Sequence, residues 1–199
     1  MSGAAGPVLA SRCGTTIDLR VDRWWGRCDV VEEALLAGLP DPILDVGCGP
    51  GRVAAALVAG GRPALGIDTS PVAVAEARRR GAPVLRRSVF DPLPGEGRWG
   101  AVLLLDGNVG IGGDPVALLA RAARLARPGG AVAVEVEPPG RPSTALTVRI
   151  EAPDTLPGPW FPWARVSADG IAAVAAAAGL AVAGLDAAGG RWFARLAAP

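Results

Sequence analysis

The sequence contains no lysine, histidine or tyrosine, so all 20 of its basic residues are arginines. These absences exclude Schiff-base chemistry by a lysine and proton transfer by an imidazole or a phenol. If a reaction of this protein needs a general base, an aspartate or a glutamate must supply it.

The sequence also has little excess charge of either sign. Its 19 acidic residues nearly balance the arginines and leave a net charge of +1. The basic run at 78–80 ends a predicted helix, where positive charge stabilises the helix dipole. Without a broad basic surface, neither a nucleic acid nor a membrane is expected as a partner.

Cysteines are few, and long apolar runs are missing. The three cysteines, at positions 13, 28 and 48, are spaced unlike any zinc or disulfide framework. We therefore expect reduced cysteines and no metal ion, as is typical of a cytoplasmic protein. No apolar run reaches about 18 residues and no signal-peptide pattern is present, so we expect no membrane span.

The length of 199 residues fits one domain. Residues 1–20 are small and weakly patterned, which predicts a frayed segment within an N-terminal arm, 1–28, ahead of the domain at 29–199. After a short capped helix at 29–38, strand and helix patterns alternate. The strands are predicted at 42–46, 63–67, 83–87, 101–105 and 131–137, and the helices at 51–59, 71–80 and 115–126.

This alternation predicts an α/β fold of Rossmann-like type, with a mostly parallel sheet flanked by helices. The proline-rich stretch 138–166 interrupts the alternation and predicts an inserted cap or hairpin. Its aromatic residues Trp160, Phe161 and Trp163 either line a substrate pocket or anchor the hairpin to the core. A helix at 168–178 and an antiparallel C-terminal hairpin complete a sheet of seven strands.

A glycine loop follows the first strand of this series. The order is Gly47-x-Gly49-x-Gly51, with Asp45 in the strand just before it, whereas the dinucleotide fingerprint is Gly-x-Gly-x-x-Gly. Free backbone N–H groups and glycines suit a nucleotide-like ligand. A carboxylate at Asp45 would repel a pyrophosphate and attract an α-amino group, which favours the aminoacyl end of S-adenosylmethionine (SAM).

A second acid lies at the end of the next strand. Asp68 follows Gly47 by 21 residues, close to the spacing of about 20 at which an acid binds ribose hydroxyls in a nucleoside-binding βαβ unit. The spacing supports an adenosyl ligand and does not distinguish SAM from NAD.

Four segments, 44–51, 66–70, the strand ending at Asp106, and 127–130, resemble the successive motifs of class I SAM-dependent methyltransferases, in particular a small bacterial member. The resemblance spans residues 43–137 and implies the Rossmann-like fold of that superfamily, with SAM as cofactor. The residues that it implies for SAM binding are Asp45, Gly47, Cys48, Gly49, Gly51, Asp68, Thr69, Ser88, Val89, Asp106, Gly107 and Asn108.

The turn at 87–94 resembles the adenine-contacting turn of the family but departs from its pattern. Gly-Asp-Ala is frequent there, whereas this chain has Arg87, Ser88 and Val89. Either the Ser88 hydroxyl accepts the hydrogen bond from the adenine amino group, or Asp91 takes this role.

Methyl transfer from a sulfonium is an in-line displacement, to which a protein contributes mostly by alignment. Asp106 and Glu137 are the candidate general bases, because they lie at carboxyl ends of strands, where open α/β folds bind ligands. Both have structural alternatives: Glu135 and Glu137 can pair with Arg149 or Arg165, and Asp106 can hold its own loop.

The N-terminal segment carries Arg20, Arg23 and the pair Trp24-Trp25. Superfamily members commonly fold this segment over the cofactor, where an arginine can bind the SAM carboxylate; a surface arginine is the alternative. The expected function is transfer of a methyl group from SAM to a small-molecule acceptor. A non-catalytic SAM-binding domain and a nucleotide-dependent oxidoreductase are the alternatives, and the acceptor's nucleophile and the oligomeric state stay open.

Overall fold

In this computed structural model, which describes residues 6–197, two β-sheets form, and helices flank the larger one. In chain order the elements are β1 (Val8–Ser11), β2 (Thr16–Asp18), α1 (Val21–Trp25), α2 (Val30–Ala37), β3 (Ile43–Val46), α3 (Arg52–Ala59), β4 (Ala64–Asp68), α4 (Pro71–Arg79), β5 (Val84–Arg86), β6 (Trp99–Leu104), a 3₁₀ segment (Asn108–Gly113), α5 (Pro115–Leu125), β7 (Ala126–Val136), β8 (Thr144–Glu151), β9 (Phe161–Arg165), α6 (Ile171–Ala177), β10 (Ala181–Ala188) and β11 (Arg191–Ala197).

The larger sheet has seven strands in the order β10-β11-β7-β6-β3-β4-β5. Strands β3 to β7 pair in parallel, whereas β10 and β11 form an antiparallel hairpin that joins the sheet at β7. Every residue of β3 and of β6 is buried, because helices cover both faces of a parallel sheet. The predicted fold class is therefore confirmed.

Helices on this sheet begin at local sequence signals. Asp29 Oδ1 accepts from the Glu32 backbone N–H at 2.9 Å, and Glu32 Oε2 accepts from the Asp29 N–H at 3.1 Å, which completes a capping box at α2. Ser70 and Asp114 cap α4 and α5, each followed by a proline at the first helical position. The helix starts thus hold the loops at the carboxyl edge of the sheet.

A second sheet of four strands, in the order β2-β1-β8-β9, was not expected. The expectation of a frayed segment at 1–20 is wrong for residues 8–18, because Leu9 of β1 lies opposite Ile17 of β2 and Ile150 of β8. Residues 1–5 lie outside the described part of the chain. Within the stretch 138–166, β8 and β9 form an antiparallel hairpin. The N-terminal strands and this hairpin are therefore one sheet, named the cap sheet below.

The glycine-rich 3₁₀ segment packs under the cap sheet. A Cβ added at Gly110 would come within 2.7 Å of the Trp163 ring, and one at Gly113 within 2.7 Å of Pro162. Both positions need glycine because the backbone of the segment touches β9 directly. Among the described residues, no helix is both long and apolar enough to cross a bilayer.

Candidate functional site

A cavity of about 590 Å³ opens at the carboxyl ends of β3, β4 and β6, beneath the cap sheet. This is the edge at which open α/β sheets bind ligands. Of the twelve residues predicted to bind the cofactor, nine line this cavity: Gly47, Cys48, Gly49, Asp68, Thr69, Ser88, Val89, Asp106 and Asn108.

The glycine loop forms one wall of this first cavity. Gly49 has a φ of 54°, in the left-handed region, and no atom lies within 4 Å of the position that a Cβ would take. Asn108, the first residue of the 3₁₀ segment after β6, holds the loop, because its Nδ2 donates to the carbonyl oxygens of Val46 and Gly47, both at 2.9 Å. The loop thus presents bare backbone to an open cavity and is anchored on its far side.

Asp68 ends β4 and belongs to the same wall. Its Oδ2 accepts from the Gly49 N–H at 2.9 Å, and its Oδ1 accepts from the Ser70 N–H at 2.8 Å. Since each carboxylate oxygen has two lone pairs, both oxygens keep the capacity to accept a further hydrogen bond from a ligand. The acid therefore is both oriented by the loop and available to a diol.

Three predicted cofactor residues, Asp45, Gly51 and Gly107, do not line the first cavity within the described residues. Gly51 serves packing: it has a φ of 79°, and a Cβ there would come within 2.7 Å of the Ala77 Cβ. Gly107 faces the second cavity described below. Asp45 is buried in β3 immediately before the residues that line the wall.

Burial changes the acidity of Asp45. It raises the pKa of the carboxyl from 3.8 to about 7, against the opposing charge of Arg52 and with further increases from the carboxylates of Asp106, Glu32 and Asp68. A buried acid that titrates near neutrality responds strongly to a cation placed nearby.

The turn after β5 carries the remaining wall of the first cavity. Ser88 Oγ accepts from the Phe90 N–H at 3.2 Å, and Asp91 Oδ2 accepts from the Ser88 N–H at 3.0 Å. Ser88 lines the cavity and Asp91 does not, within the described residues, so the hydroxyl is better placed for a ligand. Phe90, which the sequence analysis did not single out, lines the cavity beside Gly112.

A buried charge cluster lies below the cavity, and its centre is Glu32. This glutamate is fully buried and pairs with Arg52 and with Arg191, whose Nη1 lies 3.0 Å from Glu32 Oε1. Arg52 also donates to Asp106 Oδ2, and Arg191 donates to Glu135 at 2.8 and 2.6 Å. Burial raises the pKa of Glu135, but the hydrogen bonds and charge of Arg191 outweigh it and lower the pKa overall.

A second cavity of about 330 Å³ adjoins the first. Trp24, Asp106 and Trp163 line both cavities and form the junction between them. The second cavity is bounded by the N-terminal segment, the end of β7, β9 and the turn before β11. Both predicted general bases, Asp106 and Glu137, line it.

Each of these two acids has an arginine partner. Glu137 is held by Arg165 at 2.9 Å from both Nε and Nη2, as one of the structural alternatives anticipated. Glu135 pairs with Arg191 and Arg23 rather than with either arginine named for it from the sequence. Asp106 has the unusual positive φ of 54°, and its backbone N–H donates to Glu135 Oε2 at 2.8 Å, so it shapes its own loop as well.

Two of the three aromatic residues of the insertion line a cavity, and the third fits neither interpretation. Phe161 and Trp163 line the first cavity, with their rings edge to face at 6.2 Å between centroids. Trp160 instead lies on the outer side of the cap sheet, where the guanidinium groups of Arg12 and Arg149 stack on its ring.

Sequence reasoning missed Glu32, Arg52 and Arg191 of the buried cluster, although one local signal was available. Arg52 is the single charged residue in the otherwise apolar helix α3, and a charge at the start of a buried helix indicates a buried partner. Glu32 lies within the capped helix predicted at 29–38, where the capping box alone accounts for an acid at its position. Arg191 had no local signal, because its partners lie far away in the sequence.

Part of the chain is similar to a known protein family, and several solved structures are similar to most of it. Residues 43–130 match the model of a family described as a methyltransferase domain. No curated protein matches the sequence.

Several solved structures share the fold. A SAM-dependent methyltransferase from Bacteroides fragilis, in complex with S-adenosyl-L-homocysteine, is 22% identical with a TM-score of 0.78, covering 97% of this chain and 87% of that one. A SAM-bound amino pentose methyltransferase from Micromonospora echinaspora is 21% identical with a TM-score of 0.62, covering 90% and 95%. The 1,6-didemethyltoxoflavin-N1-methyltransferase of Burkholderia thailandensis is 22% identical with a TM-score of 0.59, covering 82% and 72%.

Proposed function

We propose that this protein transfers a methyl group from SAM to a small-molecule acceptor, because residues 43–130 match the model of a methyltransferase domain family. Two of the similar structures contain SAM or S-adenosylhomocysteine (SAH), and the third has its small-molecule substrate bound together with SAH. Bound SAM would supply a methyl group on a sulfonium: the acceptor lone pair would bond to the methyl carbon in line while the carbon–sulfur bond breaks, and SAH would leave.

The observation that carries the proposal is the open backbone at Gly49 opposite the oriented carboxylate of Asp68. The two residues are joined by one hydrogen bond of 2.9 Å, so the glycine loop and the ribose acid are fixed relative to each other. A cavity of about 590 Å³ falls within the usual volume range for ligands of this size.

We assign the parts of the wall by their chemistry. The glycine loop, with Gly47, Cys48 and Gly49, would hold the methionine end, helped by the charge of Asp45 behind it. Asp68 and Thr69 would bind the ribose, and Ser88 and Val89 the adenine. The remaining predicted cofactor residues act through the loops that they shape: Gly51, Gly107 and Asn108.

The two candidate bases receive different tasks in this proposal. Asp106 lies at the junction of the cavities and is held in place by Arg52, so its carboxylate would face the cationic end of SAM. Glu137, held by Arg165, is the candidate base for an acceptor that must lose a proton. Alignment supplies most of the rate enhancement in either case.

We propose that residues 29–199 form the methyltransferase domain, with 138–166 as an inserted cap and 1–28 as an arm whose strands complete the cap sheet. The protein would act in the cytoplasm on a small molecule.

Calorimetry with SAH tests the proposal. We expect SAH to bind, and Asp68→Ala and Gly49→Val to abolish detectable binding by removing ribose contacts and by filling the space beside the loop. Gly61→Val is the matched control, because Gly61 also has a positive φ of 77° and open space, but does not line the cavity.

Absence of SAH binding in the folded protein would contradict the proposal, and wild-type affinity in both site variants would place the cofactor elsewhere. A transfer assay with labelled SAM and an extract of the source cell distinguishes an enzyme from a non-catalytic SAM-binding domain.

A further inference from the structure

The second cavity is lined by acidic and basic side chains that differ in how fully they are paired with one another. Its lining acids are Asp18, Asp106, Glu135 and Glu137, and its lining arginines are Arg20, Arg23, Arg165 and Arg191. The numbers balance, so the chemistry of the cavity depends on which of these groups are already satisfied by one another.

The carboxylates deep in the cavity are already bound to arginines. Glu135 accepts hydrogen bonds from Arg191 at 2.8 and 2.6 Å, and Glu137 accepts from Arg165 at 2.9 Å. Asp106 accepts from Arg52. A cationic ligand entering this cavity would have to compete with these guanidinium groups.

Arg23 is much less satisfied. Its side chain is 23% exposed, and its contacts are made through Nη1 alone, at 3.3 Å to Asp106 Oδ1 and 3.6 Å to Glu135 Oε1. Its Nε and Nη2 have no hydrogen-bond partner within residues 6–197. Two N–H groups on adjacent nitrogens of one guanidinium are the arrangement that binds a carboxylate or a phosphate bidentately.

Two further charges lie at the rim. Arg20 is exposed, lines the cavity and has no ion pair within the described residues, and Asp18 is likewise exposed and unpaired there. The groups of this cavity without an ion pair among the described residues are thus Arg20 and Asp18, which are both exposed. Arg23 is half-buried and pairs only through Nη1, so two of its nitrogens keep donors for a ligand.

We propose that Arg23, assisted by Arg20, binds an anionic group of the methyl acceptor, a carboxylate or a phosphate. This inference rests on the proposed function. Because the first cavity is assigned to the cofactor, the second is left for the acceptor. Arg23 lines the second cavity and not the first, beyond the junction at Trp24, Asp106 and Trp163. An anion bound by Arg23 places the rest of the acceptor towards that junction, next to the cofactor.

Tryptophan fluorescence provides the test, because Trp24 and Trp163 line the second cavity. The protein, saturated with SAH, is titrated with benzoate, with inorganic phosphate and with benzamide as the neutral counterpart of benzoate, at constant ionic strength. We expect a saturable change with benzoate or with phosphate and none with benzamide; the tighter of the two anions identifies the group.

Arg23→Ala should weaken the anion's binding at least tenfold, and Arg23→Lys should restore part of it, because a lysine keeps the charge without the planar fork. Arg78→Ala removes an exposed arginine outside both cavities and should change nothing. Equal binding of benzamide, no saturable change with either anion, or unchanged affinity in Arg23→Ala would overturn the inference.

The affinity for SAH separates this inference from the proposed function. We expect Arg23→Ala to bind SAH within threefold of the wild-type protein. A tenfold or greater loss would assign Arg23 to the carboxylate of the cofactor and overturn the inference while leaving the proposed function intact. Failure of the wild-type protein to bind SAH would contradict the proposed function itself.

Discussion

Replacing Asp45 with asparagine should change how the stability of the protein depends on pH. Asp45 is 4% exposed, lies in the middle of the seven-stranded sheet, and its carboxylate accepts no hydrogen bond from residues 6–197. Burial therefore raises its pKa from 3.8 to about 7. Because the folded state holds the proton more tightly than the unfolded chain, stability falls as the pH rises through this interval.

The size of the effect follows from the shift. Three pKa units at 1.36 kcal/mol each correspond to about 4 kcal/mol, lost progressively between pH 4 and pH 8 as the buried carboxyl ionises. The Asp45→Asn variant cannot ionise at this position, so it lacks this loss. The free energy of unfolding of the variant, relative to the wild-type protein, should increase by about 4 kcal/mol from pH 4 to pH 8.

Urea unfolding of the ligand-free protein at a series of pH values measures this difference. Other carboxylates titrate in both proteins and cancel in the comparison. Asp22→Asn, which changes an exposed carboxylate on α1, is the control and should show no such trend. If the stability of Asp45→Asn relative to the wild-type protein stays constant across this pH range, the buried carboxyl of Asp45 does not have a raised pKa.

The same variant tests the role of Asp45 towards the cofactor. If its negative charge attracts the amino group of SAM, SAH should bind the wild-type protein more weakly as the pH falls below about 7, by up to tenfold per unit. Asp45→Asn should bind weakly at every pH. A wild-type affinity that does not vary between pH 5.5 and 8 would exclude this electrostatic contribution.

Two further predictions concern the buried cluster and the cysteines. Glu32→Ala should lower the free energy of unfolding by about 3 kcal/mol, measured in urea, because two buried arginines each lose their fully buried carboxylate partner and keep only Asp106 or Glu135 and Asp29; a loss below about 1 kcal/mol would show that the cluster contributes little. Iodoacetamide at pH 7.5 should alkylate Cys13 first, as mapped by mass spectrometry, because a hydrogen bond with the Ser11 hydroxyl lowers its pKa to about 7 while burial raises that of Cys28 to about 12; faster labelling of Cys28 would contradict this order.

The parallel part of the fold could be predicted because its signals are local. Strands β3, β4 and β6 are short and mostly apolar, and the helix that follows each of them starts at a glycine turn or at a capping residue with a proline after it. The wall assigned to the cofactor could be predicted for the same reason. Gly49 lies in the loop after β3 and Asp68 ends the neighbouring parallel strand β4, so the two meet at one edge of the sheet.

The cap sheet could not be predicted in the same way. β1 is stabilised by pairing with β8, in which Ile150 lies opposite Leu9 although the two residues are far apart in the sequence. A strand of four residues shows too few alternations to be recognised from its own pattern, and its partner can be found only once the intervening fold exists. The second cavity, which this sheet helps to enclose, was unpredictable for the same reason.

In the buried cluster, arginines make contacts that lysines could not make. Arg191 donates through three nitrogens to the acids of α2 and β7: Nε and Nη2 to Glu135, and Nη1 to Glu32 and Asp29. An ammonium group has three donors at a single point and could not reach all these carboxylates from one position. Arg52 likewise joins Glu32 to Asp106 through separate nitrogens. Planar guanidinium groups therefore connect α2, α3, β7 and β11 to the acid at the junction of the two cavities, so that the buried cluster fixes the position of Asp106.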